Sequence, residues 1–246
     1  MEINSSSSQN LTAKNVLITG GSRGIGKAIA MAFAAEGANL FLVSKNENRL
    51  SDAVKELKKL FPSISIYSKA IDLSTAEGAS SIINEVKLVD FSVDILVNNA
   101  GHFAPGAIID EETGSLEKMI AANLYSAYYV SRALLPTMLK KNSGHIFNIC
   151  SVASLKAYPG GGSYSISKFA LKGFNDNLRN ELLDKNIKVT GVYPGAVLTD
   201  SWNGFDNSNQ RIMEASDIAQ MIAVCAKLTK QAVVEEIIIR PQLGDL

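Results

Sequence analysis

The chain has 246 residues, 46% hydrophobic and 20% charged, enough to bury one sizeable core. Its 24 basic and 24 acidic residues cancel to a formal net charge of zero, which removes any electrostatic reason to expect nucleic acid or an anionic membrane as partner. Two cysteines, Cys150 and Cys225, make no disulfide framework. A reducing cytoplasm is therefore the expected compartment, and both thiols, set among apolar residues, read as small core side chains.

Residues 1–12 open MEINSSSSQN, with neither a basic n-region nor an apolar h-region. They are expected to form a mobile tail ahead of a single domain over residues 13–246. No apolar run is long and charge-free enough for a membrane span. Asn15–Thr19 (NVLIT) predicts a buried first strand, which runs straight into Gly20-Gly21-Ser22-Arg23-Gly24-Ile25-Gly26, with a helical pattern over Lys27–Glu36 behind it. Strand, glycine turn, helix is the context in which backbone N–H groups and a helix N-terminus hold a phosphate. The spacing is G-x-x-x-G-x-G, and the competing account is a plain tight β–α turn.

Asn39–Val43 is the second strand. In NAD-binding folds this strand often ends in an acid that binds the ribose hydroxyls. Here it ends Val43-Ser44-Lys45-Asn46. Ser44 and Lys45, joined by Arg23, suit a 2′-phosphate, so NADP(H) is favoured over NAD(H). Glu47 opens the helix Glu47–Leu60. A third strand near Ile64–Ala70 leads to Asp72-Leu73, where spacing favours Asp72 as the cap of the helix Thr75–Val89 over an approach to the adenine. Strand Ile95–Val97 then delivers Asn98-Asn99-Ala100-Gly101 to the carboxyl edge of a parallel sheet, where open α/β folds bind ligands. His102 follows, either facing substrate or as a surface-loop residue.

A long helix is expected over Ser115–Lys141, kinked at Pro136, with Leu124, Ala127, Tyr128, Leu135 and Met138 on its apolar face. Asn123 sits among apolar neighbours and needs a partner, structural or in the site. His145–Ile149 is the fifth strand, with His145 structural, and Ser151 falls just past its end. Tyr164 comes thirteen residues after Ser151, within Ser163–Phe174 (SYSISKFALKGF), which puts Tyr164 and Lys168 four apart on one helical face. A tyrosine titrates near 10, and a nearby ammonium would bring it towards neutrality as an acid–base group. Ile187–Tyr193 is the sixth strand, ending Pro194-Gly195-Ala196-Val197-Leu198-Thr199. Asp200–Met213, with Trp202 and Phe205, reads as a loop or short helices that cover a ligand. A helix from Ser216-Asp217 to Lys227 and a seventh strand over Val233–Ile239 close the chain. Strands alternating with helices throughout predict a doubly wound α/β domain, its sheet mostly parallel with helices on both faces.

In this order and spacing, Thr19–Gly26, Asn98–Gly101, Asn123, Ser151, Tyr164-x-x-x-Lys168 and Pro194-Gly195 with Thr199 resemble the short-chain dehydrogenase/reductase family, over about Asn15 to Leu243. The resemblance implies a single-domain Rossmann fold with a seven-stranded sheet in the order 3-2-1-4-5-6-7. It also implies hydride exchange between a nicotinamide cofactor and a carbonyl or alcohol. Tyr164 would give the proton to the carbonyl oxygen, Lys168 would lower the tyrosine pKa and hold the nicotinamide ribose, Ser151 would polarise the carbonyl, and Asn123 would place a water in a relay towards Lys168. Cofactor contacts would come from Gly20, Ser22, Arg23, Gly24, Ile25, Gly26, Ser44, Lys45, Asp72, Leu73, Asn98, Ala100, Gly101, Tyr164, Lys168, Pro194, Gly195, Val197 and Thr199, and no metal is expected. His102, Ala153, Tyr158, Trp202 and Phe205 are the expected substrate lining.

Family members commonly finish with a glycine-rich turn and a Gly-Gly pair, whereas this chain ends VVEEIIIRPQLGDL. That ending, the run Ser151–Ala157 and Trp202 look most like bacterial sepiapterin-reductase-like carbonyl reductases. They point to an NADPH-dependent reductase of a small or medium carbonyl, pterin-like or diketone. The alternatives are a 3-oxoacyl-thioester reductase, an NAD-dependent alcohol dehydrogenase and, outside enzymes, a silent dinucleotide-binding module. The resemblance also implies a homodimer or homotetramer packed through the helices 115–141 and 163–184.

Overall fold

A computed structural model describes residues 9–202 and 204–245. Seven strands, β1 Asn15–Thr19, β2 Asn39–Ser44, β3 Ile66–Ala70, β4 Ile95–Asn98, β5 Gly144–Ile149, β6 Ile187–Pro194 and β7 Glu236–Ile239, form one sheet in the order β3-β2-β1-β4-β5-β6-β7. All six pairings are parallel. Each crossover carries the chain over a face of the sheet. The helices are α1 Gly24–Ala35, α2 Glu47–Leu60, α3 Ala76–Leu88, α4 Ser115–Ile120, α5 Ser126–Lys141, α6 Gly162–Leu182 and α7 Ala215–Ala226.

The central strands are apolar on both faces, so their alternation splits the interior into two cores. Val16, Ile18, Leu40, Leu42, Val97 and Phe147 point one way, against Ile29 and Phe33 of α1, Leu57 of α2 and Ile222 of α7. Leu17, Phe41, Val43, Leu96 and Ile146 point the other way, against Ile82 of α3, Val130 and Leu134 of α5 and Leu178 of α6. Strand order reverses between β1 and β4, which pair Val16 with Ile95 and Ile18 with Val97. Their carboxyl ends are therefore level, and the crevice above them is where an open sheet takes a ligand.

Several boundaries differ from expectation, each for a local reason. Helix α1 begins at Gly24, because the glycine turn itself winds into its first turn. Asp72 does not cap α3: Thr75 does, accepting from Gly78 N–H at 3.0 Å. Asp72 instead accepts from Ser74 N–H and hydroxyl and pairs with Lys45 at 2.6 Å, and these partners hold its carboxyl down at about 2, Lys45 most of all. Helix α7 starts at Ala215, with Glu214 and Asp217 in a reciprocal capping box. Strand β3 begins two residues later than expected, and β7 is only four residues long. The expected long helix is interrupted by a π-helical turn, Ala121–Tyr125, between α4 and α5. The packed chain also begins before residue 13: Gln9 N–H bonds Lys227 O at 2.7 Å and Leu11 is buried. Residues 1–8 lie outside the described residues. Among the described residues, no helix is long and apolar enough to cross a membrane.

Candidate active site

The glycine turn after β1 closes on the loop after β4 through one hydroxyl. Thr19 Oγ1 accepts from Asn99 N–H at 3.0 Å and Ala100 N–H at 2.9 Å. Asn99 Nδ2 answers by donating to Thr19 O at 3.0 Å and Gly20 O at 3.2 Å. Gly20 (φ +66°) and Gly24 (φ +52°) supply the left-handed backbone the turn needs. Ser22 Oγ and Ser44 Oγ meet at 2.9 Å, tying the turn to the tip of β2.

Beside this cradle lies a second cluster, assembled from β5 and α6. Ser151 caps a single 3-10 turn, Val152–Ser154, in a capping box with Ser154. Its hydroxyl accepts from Ala153 N–H at 3.1 Å and lies 3.5 Å from Pro194 O. Ser165 Oγ donates to Ala153 O at 3.0 Å, which locks α6 to that turn. Lys168 Nζ donates to Ile149 O at 2.8 Å and lies 5.9 Å from the Tyr164 ring centre. Phe103 packs edge-on to the same ring at 4.8 Å.

Electrostatics here differ from the expectation that Lys168 depresses the tyrosine. Burial pushes the Tyr164 phenol up to about 12, with the Ser151 hydroxyl working weakly the other way. Burial likewise pushes Lys168 down to about 8. The pair is a protonated phenol beside an ammonium that is easily discharged. Burial also pushes Cys150 up to about 12, which keeps that thiol un-ionised in the cavity wall.

Asn123 stands in the π turn, a frequent device for re-aiming a side chain at functional sites. It is fully buried. Its Oδ1 accepts from His102 N–H at 2.7 Å, and its Nδ2 donates to His102 O at 3.0 Å and Ser167 Oγ at 2.8 Å. Its partners are thus backbone and α6.

A cavity of about 770 Å³ runs over the carboxyl edge of the sheet and joins both clusters. Gly20, Ser22, Arg23, Gly24, Ile25, Ser44 and Lys45 line one end, and Ser151, Tyr164 and Lys168 the other, with Gly101, Pro194, Gly195, Val197 and Thr199 between. Of the expected substrate lining, His102, Ala153, Tyr158 and Trp202 face it. Gly26, Asp72, Leu73, Asn98, Ala100, Asn123 and Phe205 stand outside its wall. Gly26 packs on the Gly20 carbonyl, Asn98 is buried against Ser131 and Asn148, and Phe205 stacks edge-on to Trp202 at 5.2 Å. The wall also holds residues not anticipated from sequence. Asn99 was one residue from a named position, and strand alternation turns it, rather than Asn98, towards the cavity. Arg49 stands in the first turn of α2. Asp200 pairs with Arg23, and Arg240 with Asp245. Phe103 carried no local signal.

A cavity of this volume, joining the glycine cradle to the Tyr164–Ser151–Lys168 cluster, fits a dinucleotide with a reacting group at its far end.

A model of the short chain dehydrogenase family matches residues 14–210. An uncharacterized oxidoreductase of Staphylococcus aureus (strain USA300) is 30% identical over 231 residues, covering 94% of this chain and 98% of that protein. Among solved structures, the L-sorbose reductase of Gluconobacter frateurii, complexed with NADPH and L-sorbose, is 26% identical with a TM-score of 0.84, over 94% of this chain and 97% of that one. A metagenomic short-chain oxidoreductase in complex with NADP is 29% identical with a TM-score of 0.81, over 96% and 100% of the two chains. The alcohol dehydrogenase of Thermococcus sibiricus complexed with 5-hydroxy-NADP is 26% identical with a TM-score of 0.86, over 95% and 99%.

Proposed function

We propose that this chain, which belongs to the short-chain dehydrogenase family, is an NADPH-dependent carbonyl reductase with Tyr164 as its proton donor. The observation that carries the reading is the single cavity that joins Arg23 and Lys45 to Ser151, Tyr164 and Lys168. A bound nicotinamide cofactor supplies the hydride. The protein's part is to bind, orient and protonate. Arg23, Ser44 and Lys45 hold the adenosine 2′-phosphate, the glycine turn holds the pyrophosphate, and Lys168 holds the nicotinamide ribose. Ser151 donates to the carbonyl oxygen and polarises it. Tyr164 gives that oxygen its proton, and Lys168 stabilises the phenolate left behind. Asn123 braces the helix behind both.

Phe103, edge-on to Tyr164, and Tyr158 and Trp202 in the cavity wall favour a flat or apolar carbonyl, of the pterin-like or diketone kind handled by sepiapterin-reductase-like enzymes. The enzyme would work in the cytoplasm as a homodimer or homotetramer. Exposed Leu116, Tyr125, Tyr128, Ile166 and Phe169, on α4, the π turn, α5 and α6, supply the apolar surface for that contact.

The test is NADPH consumption against sepiapterin, simple diketones and a 3-oxoacyl thioester, with NADH in parallel. Turnover of the thioester alone would overturn the substrate reading. Arg23 pairs with the exposed Asp200 and Lys45 with the half-buried Asp72, and a bound 2′-phosphate would take the place of those carboxylates. Arg23→Ala and Lys45→Ala should each weaken NADPH binding about tenfold or more and leave NADH nearly unchanged, as expected for a lost charged contact of about 1.5–3 kcal/mol. An unchanged preference would remove both residues from the phosphate site.

The rate should also report the Lys168 charge. With its folded value near 8, the ammonium is present below that pH and lost above it, while Tyr164, near 12, stays protonated throughout. Carbonyl reduction should therefore be flat in acid and fall about tenfold per pH unit above about 8. A profile of kcat/KM that stays level to pH 10 would show that the charge is not needed.

A further inference from the structure

Helix α6, which carries Tyr164 and Lys168, starts without a cap of its own: Gly161 offers no side chain. The acceptor comes from a distant loop. Glu111 lies just past a 3-10 turn, Ile108–Asp110, in the loop between β4 and α4. Its Oε1 accepts from Ser163 N–H at 2.7 Å, and its Oε2 accepts from the Ser163 hydroxyl. These two bonds hold its carboxyl below the usual carboxylate range, the hydroxyl bond most of all. Gly162 is shaped around it. Its φ is +38°, and a Cβ there would overlap both Glu111 Oε1 and Gly106 O.

The same loop is fastened elsewhere along its length. Gly106 N–H bonds Gly160 O at 2.8 Å. Phe103 lies edge-on to the Tyr164 ring. At its start, His102 is held on both N–H and C=O by Asn123, which reaches Ser167 Oγ, and that hydroxyl donates to Tyr164 O at 2.7 Å. Preceding Tyr164 are three consecutive glycines, Gly160–Gly162. Glycine gives the chain no preferred entry angle into a helix. The helix start is therefore defined by what holds it from outside, and Tyr164 is the next residue after Ser163.

We propose that Glu111 is a positioning residue for Tyr164: by capping the first turn of α6 and tying it to the 102–111 loop, it sets where the phenol stands relative to Ser151. This rests on the reading of Tyr164 as proton donor. An ordinary helix cap would affect stability alone. A positioning role affects the chemical step, because a misplacement of about 1 Å can cost about a hundredfold in rate.

The experiment measures kcat, KM for NADPH and thermal unfolding for Glu111→Asp, Glu111→Gln and Glu111→Ala, with Tyr164→Phe alongside. Asp is one methylene too short to reach both Ser163 donors, while Gln still presents an acceptor to Ser163 N–H. The expected result is a kcat about tenfold lower for Asp and Ala, KM for NADPH within about twofold, and substantial recovery in Gln. A kcat for Glu111→Asp within twofold of wild type overturns the proposal. So does a loss that Gln fails to recover and that tracks the fall in unfolding temperature. Should Glu111→Ala not fold, the Asp and Gln pair decides. If Tyr164→Phe keeps full turnover, the proton-donor reading falls and takes the proposal with it. If Tyr164→Phe is inactive while Glu111→Asp is unaffected, only the positioning role falls.

Discussion

Tyr164→Phe should lower kcat by about 10²–10⁴-fold, the span expected when a positioned acid is removed, or about 3–5 kcal/mol on the barrier. The substitution deletes one oxygen and keeps the ring. The edge-on contact with Phe103 and the burial of the side chain survive, and Ser151 retains Ala153 N–H as a partner. Stability and NADPH affinity should therefore stay close to wild type, which separates a chemical defect from a folding one. The measurement is single-turnover reduction at saturating NADPH, with the dissociation constant determined independently. Undiminished turnover would mean that the proton comes from elsewhere and that burial of the phenol serves packing.

Gly26→Ala should damage the cofactor end. A Cβ on Gly26 would overlap the Gly20 carbonyl oxygen and stand 2.5 Å from Asn99 Nδ2. The carbonyl belongs to the backbone of the turn and cannot swing aside, so the turn itself must shift. Overpacking of this kind costs about 1–3 kcal/mol. It would also break the Asn99 bonds that hold the cradle together. The expected result is an unfolding temperature lower by on the order of 5 °C and NADPH binding weaker by about tenfold to a hundredfold. Gly173→Ala is the matched control. Nothing lies within 4 Å of its added Cβ and it sits within α6, so it should stabilise by about 0.5–1 kcal/mol. If calorimetry and cofactor titration show Gly26→Ala behaving like Gly173→Ala, the glycine turn has slack that its geometry denies.

The contrast between these glycines marks what the sequence could show. The strands were legible because both faces are buried, so Val16–Ile18 and Leu40–Val43 appear as unbroken apolar runs bounded by turn residues. Tyr164 and Lys168 were legible because helical spacing is local. Where a three-dimensional competitor decides, the reading fell short. Thr75 took the cap expected of Asp72 because Ser74 and Lys45 had already engaged that carboxylate. The π turn at Ala121–Tyr125 leaves no mark in a helical pattern, since the residues around Asn123 are good helix formers. Helical spacing alone predicts that the Lys168 ammonium lowers the Tyr164 pKa. In the fold Lys168 is buried and Tyr164 half-buried, and desolvation is the largest influence on each, raising the phenol and lowering the ammonium. Phe103, Asp200 and Glu111 join the site only through contacts with segments far along the chain, for which one sequence holds no signal.

Trp202 is the only tryptophan in the chain, and it stands in the wall of the cavity with Phe205 against its edge. The molecule thus carries its own optical probe. Emission excited at the indole band arises from one place, so a change in its intensity or colour reports on the cavity wall, and a reduced nicotinamide bound in that cavity would accept the excitation. Binding and dissociation become visible without a label, in variants that no longer turn over as readily as in those that do.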